Sequence, residues 1–408
     1  MDASPKKRAQ YLILAAAIFA ATFIAYQQYA YLLGRRGTEF TYWNLLAQSF
    51  LSGKLYLVNP PTTHDLTLFM GNWYVPQPPL PAILMLPVVF LAGDVNTILF
   101  SIFFSALNSV LMFMILEQLL RSGWIKTSRN SILWLVLLFA FGTPHWYVGM
   151  DGRVWFLSQV LTVTFVALAI LLALGARSPW LVGACLGAAI FARPNVIMIW
   201  PLLLAIEMQK SKEGNPKILV KPLALWAAKS VVPVVLFIFG LFAYNYLRFQ
   251  NILDFGYATI NGSDRLIQDA QTYGMFSFHF IPRNLEVIFL KLPAIQSSLP
   301  YVVPSIEGMS LFLTTPAFIY LFRRYEKKIW IIGAWISVLL SVGMLSMYHN
   351  TGAFQFGYRY VLDFMVPLIM LLAATLKNKT PRLLMLLILI SIIINEYGAW
   401  WFIRFINS

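Results

Sequence analysis

The carboxylates best placed to do chemistry lie in one polar stretch of an otherwise apolar sequence. Residues 35–81 read RRGTEFTYWNLLAQSFLSGKLYLVNPPTTHDLTLFMGNWYVPQPPLP and contain Glu39, His64 and Asp65. A polar loop of this length is uncommon unless it has a function. A carboxylate held there can take a proton from an attacking hydroxyl group. We therefore predict Glu39 and Asp65 as candidate catalytic bases, with His64 lining the same site.

A second set of polar residues recurs near the ends of the apolar segments. Guanidinium groups bind phosphate through paired hydrogen bonds, so arginines at these places suit a phosphorylated substrate. The candidate phosphate-binding residues are Arg193, Arg359, Arg248 and Arg265. Further residues predicted to line the site are Trp73, Tyr74, Arg153, His349 and Tyr358. Together with the carboxylates, these arginines suit a polyprenyl-phosphate substrate and the transfer of a sugar.

Simpler structural roles compete for several of these residues. Asp65 ends the turn-like sequence TTHD, where capping of its own turn is the competing role. Arg153 follows Asp151 closely enough for the two to pair with each other. Trp73 and Tyr74 also suit an aromatic belt at a membrane surface. The sequence leaves these alternatives open.

The elements that must position these residues are membrane helices. The 408-residue chain is 59% hydrophobic and only 11% charged, and its mean hydropathy is +0.71. This composition is typical of a polytopic membrane protein. The net charge of +14 is expected in cytoplasmic loops and not at a nucleic-acid surface. The long apolar segments are about 11–33, 96–120, 131–148, 153–175, 178–193, 194–207, 225–247, 308–322, 329–347, 359–376 and 382–403.

A shorter apolar run at 79–93 decides the orientation of every later segment. It has about 15 residues, whereas a span needs about 20. If it lies in the outer interface, most Lys and Arg fall on the cytoplasmic side, as the positive-inside rule requires. We therefore predict about eleven spans, a cytoplasmic N-terminus and a site on the outer face.

We expect one all-α membrane domain, 1–408. Its parts are a first module, 1–247, with a catalytic outer loop at 34–95, a second outer loop at 248–306, and C-terminal helices at 307–408. Segments 178–193 and 194–207 are predicted to form a hairpin of short helices that turns at Arg193-Pro194. The second outer loop is predicted to form a helical cap on the membrane surface.

The chain resembles the GT-C superfamily of integral-membrane glycosyltransferases, which includes protein O-mannosyltransferases and aminoarabinose transferases, and most closely its bacterial branch. The resemblance rests on four features in order. These are Glu39 eight residues before Ala47, Pro78-Pro79-Leu80 opening a short helix, the turn at Arg193-Pro194, and Gly357 with Arg359 in FGYRY. Many relatives carry Asp where this chain has Thr38-Glu39, so Asp65 remains the alternative base.

The resemblance implies a GT-C-like bundle, a polyprenyl-phosphate-linked sugar as donor, and inverting transfer to a hydroxyl of a glycan, lipid or protein. It implies a first-loop carboxylate as base and a place in the bacterial cytoplasmic membrane. Some relatives bind a divalent metal. Glu39, His64 and Asp65 are residues of the kind that could supply its ligands, and metal dependence is left open.

Two other classes of function are weighed against this one. A transporter or lipid flippase predicts charged residues at mid-membrane depth and inverted repeats, whereas the ionisable residues here lie in loops and at segment ends. A polysaccharide ligase or polymerase shares the substrates and would use a large outer loop with Arg and His, such as 248–306. The sequence contains no GxxxxGK[ST], HExxH or GxSxG motif and no paired CxxC.

Overall fold

A computed structural model describes residues 5–406 apart from 36, 38, 39, 176 and 215–219. Its α-helices are α1 (Pro5–Leu32), α2 (Tyr42–Leu51), α3 (Leu80–Ala92), α4 (Thr97–Arg121), α5 (Arg129–Phe141), α6 (His145–Gly149), α7 (Val154–Leu174), α8 (Pro179–Ile190), α9 (Trp200–Gly214), α10 (Val220–Phe249), α11 (Asp264–Tyr273), α12 (Ile281–Phe289), α13 (Leu311–Thr314), α14 (Ile329–Ser346), α15 (Met365–Ala374) and α16 (Arg382–Trp401). Helices of the 3-10 type cover Pro194–Ile199, Tyr257–Thr259, Phe278–Phe280, Pro316–Phe322 and Arg359–Phe364, and a π-helical turn covers Phe402–Ile406. The strands form two antiparallel pairs, β1 (Thr67–Phe69) with β2 (Asn72–Tyr74) and β3 (Ala294–Ile295) with β4 (Val302–Val303).

Six helices are long and apolar enough to cross a membrane, which indicates an integral membrane protein. They are Arg8–Leu32, Thr97–Arg121, Val154–Leu174, Val220–Phe249, Ile329–Ser346 and Arg382–Arg404. The mostly helical architecture expected from the sequence is therefore confirmed. Buried side chains of α1, α4–α10 and α12–α16 share one hydrophobic core, and those of α2 and α3 belong to smaller clusters beside it.

The other five predicted spans are short or interrupted helices in the structure. Segment 131–148 becomes α5 and α6, 178–193 becomes α8, 194–207 becomes a 3-10 helix and α9, 308–322 becomes α13 and a 3-10 helix, and 359–376 becomes a 3-10 helix and α15. Pro144, Pro194 and Pro316 each stand at the start of a new element. Proline cannot donate a backbone hydrogen bond, so a continuous helix through these positions is disfavoured.

The helical hairpin at Arg193 is asymmetric. α8 has 12 residues and is short, as predicted. α9 runs to Gly214, seven residues past the predicted end at 207, and Trp124 Nε1 donates to Glu213 at 2.9 Å. The second arm of the hairpin, residues 194–214, therefore extends from the turn at Arg193 to the opposite end of the helix bundle.

Loops rich in Lys and Arg meet at that far end, which we call the basic end. Lys126 Nζ lies 2.7 Å from Glu326 Oε1, and Lys328 Nζ donates to the Gly123 carbonyl at 2.9 Å. The Asn378 amide donates to the Lys126 carbonyl at 2.8 Å. The loops near 126, 328 and 378 thus lie together, as the charge distribution predicts. The opposite end, which holds the candidate site, is called the site end.

Helix α3, from the ambiguous run 79–93, begins and finishes at the site end. The Leu80 amide donates to the Phe191 carbonyl at 3.2 Å, and Gln48 of α2 donates to the Gly93 carbonyl at 2.9 Å. α4 then starts beside Gly152, which precedes α7. The helix therefore does not run from one end of the bundle to the other.

Two glycines allow α8 to approach α10 closely. A Cβ atom added at Gly183 would lie 2.0 Å from the Ser230 carbonyl oxygen, and one at Gly187 would lie 2.3 Å from the Phe237 ring. Their i, i+4 spacing is the small-residue pattern that brings membrane helices into backbone contact.

The second outer loop is a helical cap only in part. α11 and α12 lie within it, as predicted, but β3 and β4 form a hairpin near its C-terminal end. α11 has no buried residue. The part before α11 packs against the first loop through backbone pairing of Ile260 with Thr67.

Candidate functional site

A cavity of about 1080 Å³ opens at the site end between the two outer loops and the helix ends. Six predicted site residues line it, namely His64, Asp65, Arg153, Arg193, His349 and Arg359. Glu39 lies outside the described residues, but Gly37 and Phe40 on either side of it line the cavity. The first loop therefore borders the same space as four arginines, the fourth being Arg35.

The backbone holds Asp65 in a defined orientation. Its φ of 57° lies in the left-handed region, which Asp tolerates better than most residues. The Asp65 amide donates to the Asn261 carbonyl at 2.7 Å, and the Asn261 amide donates to the Leu66 carbonyl at 2.7 Å. No backbone N–H of a described residue donates to the Asp65 carboxylate, so capping of the turn does not explain this side chain.

Burial raises the pKa of the Asp65 carboxyl group above its ordinary value. The positive charges of His64 and Arg359 and a hydrogen bond from the Trp155 indole oppose this effect. His64 Nε2 lies 3.8 Å from Asp65 Oδ1. A carboxylate with a raised pKa is a stronger base than an exposed one, so Asp65 is suited to accept a proton.

Arg359 is a buried cation that faces the cavity and has no carboxylate partner in the part of the chain that the structure describes. It is only 5% exposed, and it follows the turn at Gly357, whose φ of 64° favours glycine. Its Nε donates to the Gly352 carbonyl and its Nη1 to Gln159 Oε1, both at 2.9 Å. Among the described residues, no group accepts a hydrogen bond from Nη2 and no carboxylate pairs with the guanidinium. A buried charge of this kind requires a counter-ion, so the position favours binding of an anion.

Arg193 lines the cavity but is already paired. Its Nε and Nη2 donate to the two oxygens of Asp363, each at 2.8 Å. Asn195 Nδ2 donates to Asp363 Oδ2 at 2.7 Å. This bidentate pair fixes the turn after α8 against the 3-10 helix Arg359–Phe364. Arg193 can therefore contribute polar contacts to a ligand, but Asp363 offsets its charge.

Arg153 pairs with Asp151, as one of the alternatives anticipated. Its Nε and Nη2 lie 2.5 and 2.7 Å from the two Asp151 oxygens, and Arg35 Nη2 approaches the same carboxylate at 3.5 Å. The guanidinium groups of Arg153 and Arg359 both lie near the Phe156 ring, 5.0 and 5.2 Å from its centroid. These contacts order one wall of the cavity.

His349 lies near a second ion pair, at the far side of the cavity from α7. It is 5% exposed, and neither ring nitrogen has a hydrogen bond of ordinary geometry among the described residues. Burial lowers the pKa of the imidazole, and the nearby Leu266 backbone opposes this only in part. Arg283 Nη1 pairs with Asp269 at 2.8 Å and its Nη2 donates to the His349 carbonyl. His349 is therefore a neutral residue at neutral pH.

The other predicted site residues lie outside this cavity. Arg248 is buried under the first loop, where it donates to the Val75 carbonyl and to Asn245. Arg265 is exposed and pairs with Glu307 at 2.8 Å. Trp73 and Tyr74 belong to β2, and Tyr74 packs on Phe249. Tyr358 is buried beside Arg359 and does not line the cavity.

Two residues that position the site were absent from the sequence prediction. Gln159 of α7 accepts from Arg359 Nη1 and donates to the Arg359 carbonyl at 3.1 Å, and Asp363 orients Arg193. Both are polar residues inside apolar segments, which is the signal that would have found them.

The described residues contain no group of three His, Cys, Asp or Glu side chains arranged to hold a metal. Of the three suggested ligands, His64 and Asp65 are close together and Glu39 lies outside the described residues.

The cavity combines an anion-binding position, a base and apolar walls. Leu253, Phe255, Met275, Phe276 and Met344 supply apolar surface beside the polar groups. Such a space can hold a ligand with a negatively charged group and a hydrocarbon part, with a hydroxyl group near Asp65. No protein-family model and no curated protein sequence matches the chain.

Proposed function

We propose that the protein is a membrane glycosyltransferase that moves a sugar from a polyprenyl-phosphate donor to an acceptor hydroxyl group on the outer face. The acceptor is a hydroxyl of a glycan, a lipid or a protein. The architecture proposed is a GT-C-like bundle with its N-terminus in the cytoplasm. The GT-C resemblance of the sequence and the chemistry of the cavity both support this function.

One observation carries the proposal: the Arg359 guanidinium, which has no carboxylate partner among the described residues, and the carboxyl group of Asp65 line the same cavity. The positive charge of Arg359 lowers the pKa of Asp65, so an anion bound at Arg359 would raise the pKa of the carboxyl group. The arrangement supports a phosphate next to a proton acceptor. In the proposed reaction these two groups stabilise the leaving group and activate the nucleophile.

In the proposed step, an acceptor hydroxyl oxygen attacks the anomeric carbon of the donor sugar. The bond between that carbon and the phosphate oxygen breaks, and the electron pair leaves with the polyprenyl phosphate. Arg359 holds the phosphate, whose charge increases as the bond breaks. The hydroxyl proton passes to Asp65, with Glu39 as the alternative acceptor. A single displacement inverts the configuration of the sugar.

The test is sugar transfer by purified protein from a panel of polyprenyl-phosphate sugars. Wild type is compared with Asp65→Asn and Glu39→Gln, and donor binding is measured separately by titration. Loss of transfer in one variant that still binds donor identifies the base. The matched control is Asp254→Asn, because Asp254 also lines the cavity and caps the Gly256 amide at 2.6 Å. Equal transfer rates in wild type, Asp65→Asn and Glu39→Gln would contradict the mechanism.

The same assay separates this function from the alternatives. If wild type binds lipid-linked sugars but forms no product with any acceptor, while vesicles containing the protein move the lipid between leaflets, a flippase is the better description. If the product grows by many sugar units from a diphosphate-linked donor, the protein is a polymerase.

A further inference from the structure

The hairpin formed by residues 290–303 exposes an unusual amount of apolar surface. Its sequence is LKLPAIQSSLPYVV, with Lys291 as its one charged residue. Ile295 is 85% exposed and Leu299 is 79% exposed. Leu290, Leu292 and Tyr301 are also exposed. Contiguous apolar surface of this kind marks a contact with a membrane or a partner and not an ordinary solvent loop.

Hydrogen bonds order the hairpin, so the exposure of its apolar side chains does not result from an irregular loop. Ala294 and Ile295 pair with Val303 and Val302. At the turn, the Gln296 amide donates to the Tyr301 carbonyl at 3.0 Å, and its side chain donates to the Pro300 carbonyl at 2.8 Å. The turn therefore satisfies several of its own backbone groups. This reduces the cost of placing it next to lipid.

The apolar surface of the hairpin continues the exposed face of α16. That face consists of Leu383, Leu386, Leu389, Ile393 and Trp400, spaced three, four or seven residues apart. The opposite face of α16 is buried in the bundle through Leu384, Ile388 and Asn395. Since α16 is one of the six membrane-length helices, its exposed face is the lipid-facing one.

Contacts at the site end join the two surfaces. The Tyr397 hydroxyl of α16 donates to the Val302 carbonyl of β4, and Tyr397 packs against Trp400 at 5.7 Å. Tyr and Trp are enriched where helices leave the hydrocarbon layer. The hairpin therefore lies at the depth of the membrane interface and directly beside the lipid-facing side of the bundle.

The position of the charge fits the same orientation. Lys291 stands at the base of the hairpin, where its Nζ lies 3.4 Å from Glu286, and the turn at 296–301 carries no charge. A Lys at the base can keep its ammonium group among headgroups while the apolar turn lies deeper. We propose that the 290–303 hairpin inserts its apolar turn into the outer interface of the bilayer beside α16, as a lipid-contacting element of the second loop.

This proposal is independent of the proposed enzyme activity. The hairpin follows α12 directly in the chain, and its base is held by the Ser310 amide, which donates to the Lys291 carbonyl at 2.9 Å. Asn284 of α12 in turn donates to the Tyr348 carbonyl beside the cavity at 2.7 Å. Contact with lipid would therefore restrain the C-terminal end of the second loop, which borders the cavity.

The test is the depth of a spin label in the full-length protein reconstituted in phospholipid nanodiscs. Cys185 is replaced by Ala, and a nitroxide is attached at Leu299→Cys or Ile295→Cys. Gln268→Cys on α11, an exposed polar position, is the water-facing control, and Ile393→Cys on α16 is the lipid-facing control. Collision rates with oxygen, which concentrates in lipid, and with a water-soluble nickel chelate are measured by paramagnetic resonance.

We expect labels at Leu299 and Ile295 to have an oxygen-to-nickel accessibility ratio several-fold above that at Gln268 and close to that at Ile393. A ratio equal to that at Gln268 would overturn the proposal, because the hairpin would then lie in water. Low collision rates with both reagents would also overturn it, because a protein surface would then cover the hairpin.

Discussion

Arg359 is the residue on which donor binding should depend most. Replacing it with Gln removes the buried charge but retains a donor able to reach Gly352 or Gln159. A charged hydrogen bond contributes about 1.5–3 kcal/mol. We therefore expect the Arg359→Gln variant to bind a polyprenyl-phosphate sugar about tenfold to a hundredfold more weakly. Titration of the purified variant with donor measures this change.

The control for Arg359 is Arg265→Gln. Arg265 is exposed, pairs with Glu307 and lies outside the cavity. Its loss should leave donor affinity within about twofold of wild type, since exposed pairs contribute little. If the two arginine variants lose the same affinity, the effect comes from overall charge and not from a phosphate site.

Asp65 should determine the rate of transfer and its dependence on pH. Loss of a general base typically lowers a rate by about 10²–10⁴-fold. We expect Asp65→Asn to reduce kcat within that range while the affinity for donor changes little. Because the pKa of Asp65 is raised, wild-type activity should fall with decreasing pH at a higher pH than an ordinary Asp would give. An unchanged acid limb in Asp65→Asn would assign the base to Glu39.

His349 should make the folded protein less stable in mild acid. Burial lowers its pKa in the folded state, whereas the unfolded chain has a pKa of about 6.5. Below that pH the unfolded state binds the proton more readily, so stability is lost as the pH falls towards the lower folded-state pKa. His349→Gln, which is neutral throughout, should lose less stability between pH 7 and 5 in thermal unfolding scans. Identical pH dependence of the two proteins would show that folding does not lower the pKa of His349.

The sequence identified the polar residues of the site better than it identified their partners. Asp65, His64, Arg359 and His349 were predicted and line one cavity. The pairing of Arg193 with Asp363 joins residues 170 positions apart, and no local pattern encodes such a contact. Arg248 lies outside the cavity because its position at the end of α10 turns it beneath the first loop. Residue type signals a need for a partner, but tertiary packing decides which one.

At the level of elements, the contact between α8 and α10 should be the least tolerant of added volume. Gly183→Ala would place a methyl group 2.0 Å from a backbone oxygen, and overpacking typically costs about 1–3 kcal/mol. We expect a fall of several degrees in the unfolding temperature of the purified protein, measured by intrinsic Trp fluorescence.

The matched control is Gly343→Ala in α14. Nothing lies within 4 Å of a Cβ at that position, and Ala favours a helix over Gly by about 1 kcal/mol. The control should be neutral or slightly stabilised. A Gly343→Ala variant as unstable as Gly183→Ala would mean that helix glycines matter here for reasons other than packing.

Hydropathy predicted where apolar chain lies but not where it bends. The six long helices agree with predicted segments, and only α10 among them continues through an interior proline, Pro233. Segment 308–322 is as apolar as a span, yet Thr314, Thr315 and Pro316 divide it into two short pieces. Hydropathy averages over such a break, while the missing proline donor acts at one position. Pro144, Pro194 and Pro316 mark boundaries that hydropathy does not show, whereas Pro87 and Pro233 lie within continuous helices.

At the scale of the whole molecule, the separation of the site end from the basic end predicts orientation in the membrane. Gln268 of α11 stands at the site end and Lys327 in a basic loop at the other. In a Cys185→Ala background, an impermeant thiol reagent should label Gln268→Cys in intact cells. It should label Lys327→Cys only after permeabilisation. The reverse pattern would place the cavity in the cytoplasm and remove the support for an outer-face reaction.

The backbone hydrogen bonds that join residues 65 and 66 to Asn261 have a consequence for the proposed transfer of an activated sugar. Under that proposal the proton acceptor, Asp65, lies on a segment held to the second loop by these bonds, so it would lose its position if the two segments separated. Under the proposed function, an open cavity would admit water but offer it no organised base. Wasteful hydrolysis of a costly lipid-linked sugar would then be limited by the connectivity of the chain, without any additional gate.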